Sequence, residues 1–339
     1  MTSKSSLKSI SKDLGLSTGT ISRVLNGKAK QFRISDATVK LVTDYAEQVG
    51  YTPNLIAKGL QASKTHTIGL LIPNIADPFF AAMAKNIEKA ASLANYSIIL
   101  VDAEESLEKE KKQVRNLLSR SVDGMIIAPV VSDFSHFKEI VEKGIPIVFI
   151  DNYSKNIDVP YITSDNFSGG FEATQALLEN GHTRIGIIKG IADAYPLQER
   201  LRGYHAALKS FGIEPDVALE EGVYYSIEEG YKSAMKIMQL PDPPTAIFAT
   251  SCELGLGALG ALKELNLHAP EDVSMVFFDD QPYLSYINPP MTTVGQDYLA
   301  IGRQAVESIL SQIDKTPANK SNKVVPTKFI SRQSIKTLQ

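Results

Sequence analysis

Apolar positions in the first fifty residues recur at helical spacing. Leu7, Ile10, Ser11 and Leu14 predict one short amphipathic helix, and Ile21, Val24 and Leu25 predict a second whose outer positions are Thr18, Thr20, Ser22 and Arg23. Ser17 stands where a hydroxyl caps the second helix, and Gly15-Leu16 leaves room only for a sharp turn between the two. A third helix is predicted from Ser35 as cap through Val39, Val42, Tyr45, Ala46 and Val49 to Gly50. Between the second and third, Asn26-Gly27 ends the helical pattern and Lys28 to Arg33 forms a basic loop suited to lie along phosphates. Helix-turn-helix logic fits this arrangement, and so does an ordinary helical hairpin.

Tyr51-Thr52-Pro53-Asn54 breaks the pattern, and Leu55 to Gln61 follows with mixed helical character. A helix this short does not stand alone in water, so it is expected to order against a partner chain or on DNA; a plain linker is the other reading. From Thr67 onward, buried runs alternate with amphipathic stretches. Strands are predicted at 68–73, 97–102, 124–129, 146–151, 185–190, 245–250 and 273–279, and helices at 79–95, 106–120, 167–180, 197–211, 227–239, 253–265 and 298–313. This alternation predicts an α/β core of two doubly wound parallel-sheet lobes behind an all-α headpiece. Ligands in such folds sit beyond the carboxyl ends of strands, where Asn74, Asp77, Phe79, Asp102, Asp151, Asp165, Ser251 and Asp279 fall. An acidic residue after a strand is more often a cap or turn residue than a ligand contact; recurrence at equivalent places favours the functional reading.

Charge separates the headpiece from the rest. Residues 1–64 carry ten Lys and Arg against four Asp and Glu, a net of +6 within a chain of −3, as suits a small basic reader of nucleic acid on an acidic body. At 339 residues and 43% hydrophobic, the chain can bury a full core in two or three domains. Cys252 is its one cysteine, which excludes an internal disulfide and fits a reducing cytoplasm. The five histidines show no metal-like spacing, no apolar run follows the N-terminal lysines as in a secretory signal, and no apolar stretch approaches the ~20 residues of a membrane span. Gly255-x-Gly257-x-x-Gly260 has the dinucleotide-binding form with Asp279 about 20 residues on, but Ser251 to Leu254 separate it from its strand, so its glycines fall in a helix. No nucleophile elbow, His-Glu-x-x-His or phosphate loop is present, and His205 has no evident catalytic partner. A free-standing small-molecule binding protein is the alternative, opposed by the basic headpiece and the missing export signal.

Over nearly its whole length the chain resembles transcription regulators of the LacI/GalR family. The resemblance rests on 7–11 and 17–26 (Ser-Thr-Gly-Thr-Ile-Ser-Arg-Val-Leu-Asn), Gly50-Tyr51-Thr52-Pro53-Asn54, 68–73, 122–127, Arg200-Leu201-Arg202-Gly203-Tyr204, 244–248 and Met291-Thr292-Thr293-Val294. It implies a cytoplasmic homodimer, with higher assembly left open, that acts as a repressor on near-palindromic operator DNA under the control of a sugar or sugar derivative. The implied boundaries are a headpiece at 1–52, a hinge at 53–65 and an effector-binding core at 66–339, with one lobe at about 66–166 and 297–325 and the other at about 167–296 and 326–339. The implied DNA-facing set is Ser17, Thr18, Gly19, Thr20, Ser22, Arg23 and Asn26 in the headpiece, and Ala57, Lys58 and Leu60 in the hinge, Leu60 as a minor-groove wedge. Among the base-reading positions Thr18, Gly19 and Arg23, Arg23 is suited to pair bidentately with guanine, whereas Gly19 brings no side chain. The implied effector contacts are Phe79, Asp151, Arg200, Tyr225, Ser251 and Asp279; a structural ion pair is the other use of Arg200. No catalytic residue, cofactor or metal is implied. Two departures stand out: Ser251-Cys252 replaces the Asn-Asp common after this strand, and the loop from Gly27 to Ser35 is longer than usual.

Overall fold

A computed structural model describes residues 6–51, 64–130, 133–316 and 322–338, in two units, Met1–Thr65 and His66–Gln339. In the first unit, α1 (Leu7–Leu14) begins in a reciprocal capping box between Ser6 and Ser9 and ends at Gly15, whose φ of 63° is the left-handed turn a glycine accommodates without strain. Ser11 tightens that turn by donating from Oγ to the Leu16 carbonyl at 2.6 Å. Ser17 then caps α2 (Thr18–Leu25), and Ser35 caps α3 (Asp36–Gln48). Ile10, Ile21, Val24, Ala29 and Val42 are the buried centre, one or two residues from each element, with Leu7, Leu14, Leu25, Ile34 and Val39 packed against them. The hinge positions Ala57, Lys58 and Leu60 lie outside the described residues.

The second unit holds two six-stranded sheets. The first comprises β1 (Thr67–Ile72), β2 (Ser97–Asp102), β3 (Gly124–Ile127), β4 (Ile147–Ile150), β5 (Tyr161–Ser164) and, far along the chain, β11 (Lys323–Val325), in the order β11-β5-β4-β3-β1-β2 and all parallel. α4 (Pro78–Leu93), α5 (Leu107–Ser119) and the short α6 (Lys138–Glu142) lie between its strands. Ile68, Leu70, Ile126, Val148 and Ile150 pack with Met83 and Ile87 on one face, and Leu71, Met125, Ile127 and Phe149 pack with Val114, Leu117 and Phe137 on the other. Burial on both faces is why these strands are continuously apolar.

The second sheet comprises β6 (Ile185–Ile188), β7 (Glu220–Glu221), β8 (Ala246–Ala249), β9 (Ser274–Phe278), β10 (Thr292–Gly295) and β12 (Lys328–Ile330), in the order β12-β10-β9-β8-β6-β7. Only the β10–β12 pairing is antiparallel. α7 (Asn166–Glu179), α8 (Tyr195–Ser210), α9 (Ile227–Met238) and α10 (Cys252–Glu264) pack on this sheet or on one another, whereas α11 (Tyr298–Ile313) packs on α4 and the first sheet. The chain therefore passes between the sheets at 165, at 296–297 and at 326–327. These passages are tied together: the Asp165 N–H donates to the Val325 carbonyl at 2.8 Å, and Ser164 Oγ donates to Gln296 Oε1.

Candidate functional site

In the headpiece, Ser17, Thr18, Gly19 and Arg23 are exposed on α2, with Thr20, Ser22 and Asn26 partly so. Several of these hydroxyls and amides already have local partners. Ser17 Oγ accepts from the Thr20 N–H at 3.0 Å, and Asn26 Nδ2 donates to Ser22 Oγ at 3.1 Å, so both pairs hold the ends of α2 as well as lining its outer face. A Cβ built on Gly19 would meet only Ser17 Oγ at 3.6 Å, so close packing does not require the glycine there. Arg23 does not extend freely from the helix: its guanidinium carbon lies 4.0 Å from the centroid of the Phe32 ring.

In the core, Phe79, Asp151, Arg200, Tyr225, Ser251 and Asp279 all line one cleft. Phe79 enters from α4, whose cap Asp77 accepts from the Phe79 N–H at 2.8 Å. Asp151 follows β4 and Asp279 follows β9, equivalent strands of the two sheets, and both have left-handed backbones, with φ of 62° and 72°. That conformation is uncommon for a non-glycine residue and recurs at functional turns. Arg200 comes from α8, 4% exposed; Nε donates to Asn166 Oδ1 at 2.8 Å, Nη1 donates to the Thr250 carbonyl at 2.6 Å, and the guanidinium stacks 3.7 Å from the Phe278 ring. Among the described residues it forms no ion pair, and its charge acts on the Asp151 and Asp279 carboxyls from farther away. Ser251 caps α10, accepting from the Leu254 N–H at 3.3 Å. Tyr225 lies just ahead of the α9 cap, against Gly190, where any Cβ would collide with its ring.

Electrostatically the cleft is crowded with acids around one guanidinium. Burial raises the Asp151 carboxyl to about 6 despite the opposing pull of Arg200, and raises that of Asp279, which Arg200 and the Gln296 amide partly restore. Asp77 is pushed up to about 7, first by burial and then by the charges of Asp279, Glu253 and Asp151. Burial likewise raises the Tyr225 hydroxyl and the Cys252 thiol, each to about 12, so both are neutral donors at physiological pH. Such a lining offers carboxylate acceptors, a fixed cationic fork and two aromatic faces, which is chemistry for hydroxyl-rich ligands.

Residues 65–333 match the family of periplasmic binding proteins and sugar binding domain of the LacI family, and residues 6–54 match the bacterial regulatory proteins of the lacI family. The chain belongs to the LacI family. Within it, the chain is 30% identical to the HTH-type transcriptional repressor CytR of Escherichia coli K12 over 332 residues, covering 98% of this chain and 96% of that protein. The Lac repressor dimer bound to operator and the anti-inducer ONPF superimposes with a TM-score of 0.88 at 25% identity, over 98% of this chain and all of that one. A transcriptional regulator CelR–cellobiose complex gives 0.75 at 29% identity, over 97% and 99%. These LacI-family relatives are transcription regulators, and this chain combines the same DNA-binding and effector-binding parts.

The LacI-family cleft also contains residues outside the implied effector set. Cys252, Gln281 and Tyr283 line it, with Cys252 Sγ 3.1 Å from the Tyr283 hydroxyl; Asp77 and Glu253 do so as first-turn or cap residues of α4 and α10. For Asp77 the signal was present, since it stands after β1 in the same relation as the other strand-end residues. The remaining strand-end acids serve locally. Asp102 accepts from the Ile75 and Glu104 N–H groups, and Asp165 caps α7. His205 Nε2 lies 2.6 Å from Glu220, which also pairs with Lys189. Gly257 packs α10 against the Ile227 carbonyl of α9, so the glycine motif serves helix packing. Among the described residues no helix is long and apolar enough to cross a membrane.

Proposed function

We propose that this chain is a homodimeric, sequence-specific repressor in the cytoplasm whose affinity for a near-palindromic operator is set by a sugar or sugar derivative in the cleft. The observation that carries the effector half is the convergence of Asp151 and Asp279, from equivalent strands of two sheets, with Arg200 between acids and Phe79 and Tyr225 beside them. A ligand held by both sheets binds one closure state better than the other, and that difference, typically ~1–3 kcal/mol, is all that it can transmit to DNA affinity. On the operator side, the reading assigns Ser17, Thr18, Thr20, Ser22, Arg23 and Asn26 to the major groove and Leu60, with Ala57 and Lys58, to the minor groove. The cellobiose complex of a relative and the operator-bound Lac repressor dimer support both halves.

Selection of bound sequences from a random duplex library, with a panel of sugars and sugar derivatives then added to the winning site at fixed salt, tests the proposal. A near-palindrome whose occupancy changes with one compound is the expected result. Failure to enrich any duplex while a sugar still binds would move a free-standing binding protein to the front. Leu60→Ala is expected to weaken operator binding and leave effector affinity unchanged; equal DNA binding by the variant removes the wedge.

A further inference from the structure

The loop between α2 and α3 has a fold of its own. Ala29 and Ile34 anchor it in the headpiece core, and the Ile34 N–H donates to the Ala29 carbonyl at 3.0 Å, closing a 3-10 turn over Lys30–Phe32. The Phe32 N–H is held by the Lys28 and Ala29 carbonyls at 3.3 and 3.2 Å, and the Lys28 N–H by the Arg23 carbonyl at 2.8 Å, so the turn folds back onto the C-terminal end of α2. An apolar ring here has no core to fill, and Phe32 remains 44% exposed. What it meets instead is Arg23, at 4.0 Å and over the ring face, while among the described residues no carboxylate pairs with that guanidinium.

A long exposed side chain ordinarily explores many rotamers, and ordering it on a base edge costs conformational entropy. Stacking on an aromatic face leaves a guanidinium's in-plane N–H donors free, so a ring beneath Arg23 limits its rotamers without consuming the fork that pairs with guanine O6 and N7. We propose that Phe32 is a positioning residue for DNA specificity, a platform in the extended loop that presents the Arg23 guanidinium to its base. This rests on the reading of Arg23 as a base contact given above.

The test is a double-mutant cycle in the full chain, measuring affinity for the selected operator and for the same duplex with each base pair of the half-site replaced. Arg23→Ala identifies the position at which preference is lost. At that position Phe32→Ala is expected to reduce the wild-type preference roughly two- to fivefold, the range of an exposed cation–π contact, to add nothing in the Arg23→Ala background, and to be rescued by Phe32→Tyr. Phe32→Leu keeps apolar bulk without a π face and is expected to act like Phe32→Ala with the headpiece helices intact by circular dichroism. Should Phe32→Ala fail to fold, Phe32→Leu decides alone. Preference unchanged in the Phe32 variants, or affinity lowered equally for every duplex and equally in the Arg23→Ala background, overturns the proposal. If Arg23→Ala loses preference nowhere, Arg23 does not read a base and both readings fall together.

Discussion

The headpiece and the cleft place their functional side chains under opposite constraints. On α2, Thr18 and Arg23 project from a helix whose buried face belongs to Ile21 and Val24, so these proposed base readers are not the residues that pack it, although Ser17 and Asn26 also hold its ends. In the cleft they are the same residues: Arg200 is a buried bracket for Asn166 and Thr250, Ser251 is a helix cap, and Asp279 accepts from Gln296 at 2.6 Å. On this reading, a substitution at Thr18 or Arg23 is expected to cost the headpiece little stability, whereas one at Arg200 or Ser251 is expected to disturb the packing of the core.

Substitutions probe this contrast. The largest effect is expected from Arg200→Ala, which strands the buried Asn166 and Thr250 acceptors and removes the one cation among the acids. Effector response should vanish and the core should lose on the order of 3 kcal/mol, a fall of roughly 5–10 °C in Tm by calorimetry; wild-type Tm with normal response would show that the cleft residues are separable from the fold after all. Next, Arg23→Ala should cost about 1–3 kcal/mol of discrimination at one operator position with thermal unfolding unchanged, and a marked loss of headpiece stability would collapse the contrast from the other side. Ser17→Ala tests where the two roles meet in α2. Loss of the cap should destabilise the headpiece by about 1 kcal/mol, visible as reduced helicity on heating, while the core transition stays in place.

A further effect concerns pH. Asp77, raised to about 7, binds its proton more tightly in the folded core than in the unfolded chain, so its contribution to stability is full below about pH 4 and is lost as pH rises through 7. Asp77→Asn preserves the cap and the neutral state, so its Tm should match the wild type near pH 4 and exceed it at pH 8. Parallel curves for the two proteins from pH 4 to 8 would mean that neither burial nor the neighbouring acids raise the Asp77 carboxyl.

Most of the core was legible because strands buried on both faces leave an unmistakable apolar run; the seven expected strands appear within a few residues of where hydropathy places them, as Ile-Val-Phe-Ile at β4 illustrates. Five others were not, namely β5, β7, β10, β11 and β12. Each is two to four residues long, and β5 and β10 bury Thr163, Ser164, Thr292 and Thr293, whose hydroxyls or backbone are satisfied by partners distant in sequence that no local pattern records. Position after a strand brought Asp151 and Asp279 into view together with Asp102 and Asp165, which serve locally, and the family resemblance separated the two pairs. Tyr283 and Gln281 enter from the irregular segment after β9, where there is no periodicity to read. The stack of Phe32 on Arg23 was likewise hidden, because basic composition described the loop and said nothing of its fold.

The bond from Gln296 to Asp279 has a mechanical meaning. Gln296 belongs to one of the three strands of chain joining the sheets, and Asn166, which anchors Arg200, begins just beyond another. Under the proposed closure, a ligand held by Asp279 and Arg200 acts beside the segments that join the sheets, so a small displacement there corresponds to a larger one at the outer ends. In that proposal the cleft is the short arm of a lever, and a change at Gln296, which does not line it, is expected to alter the response without touching the ligand.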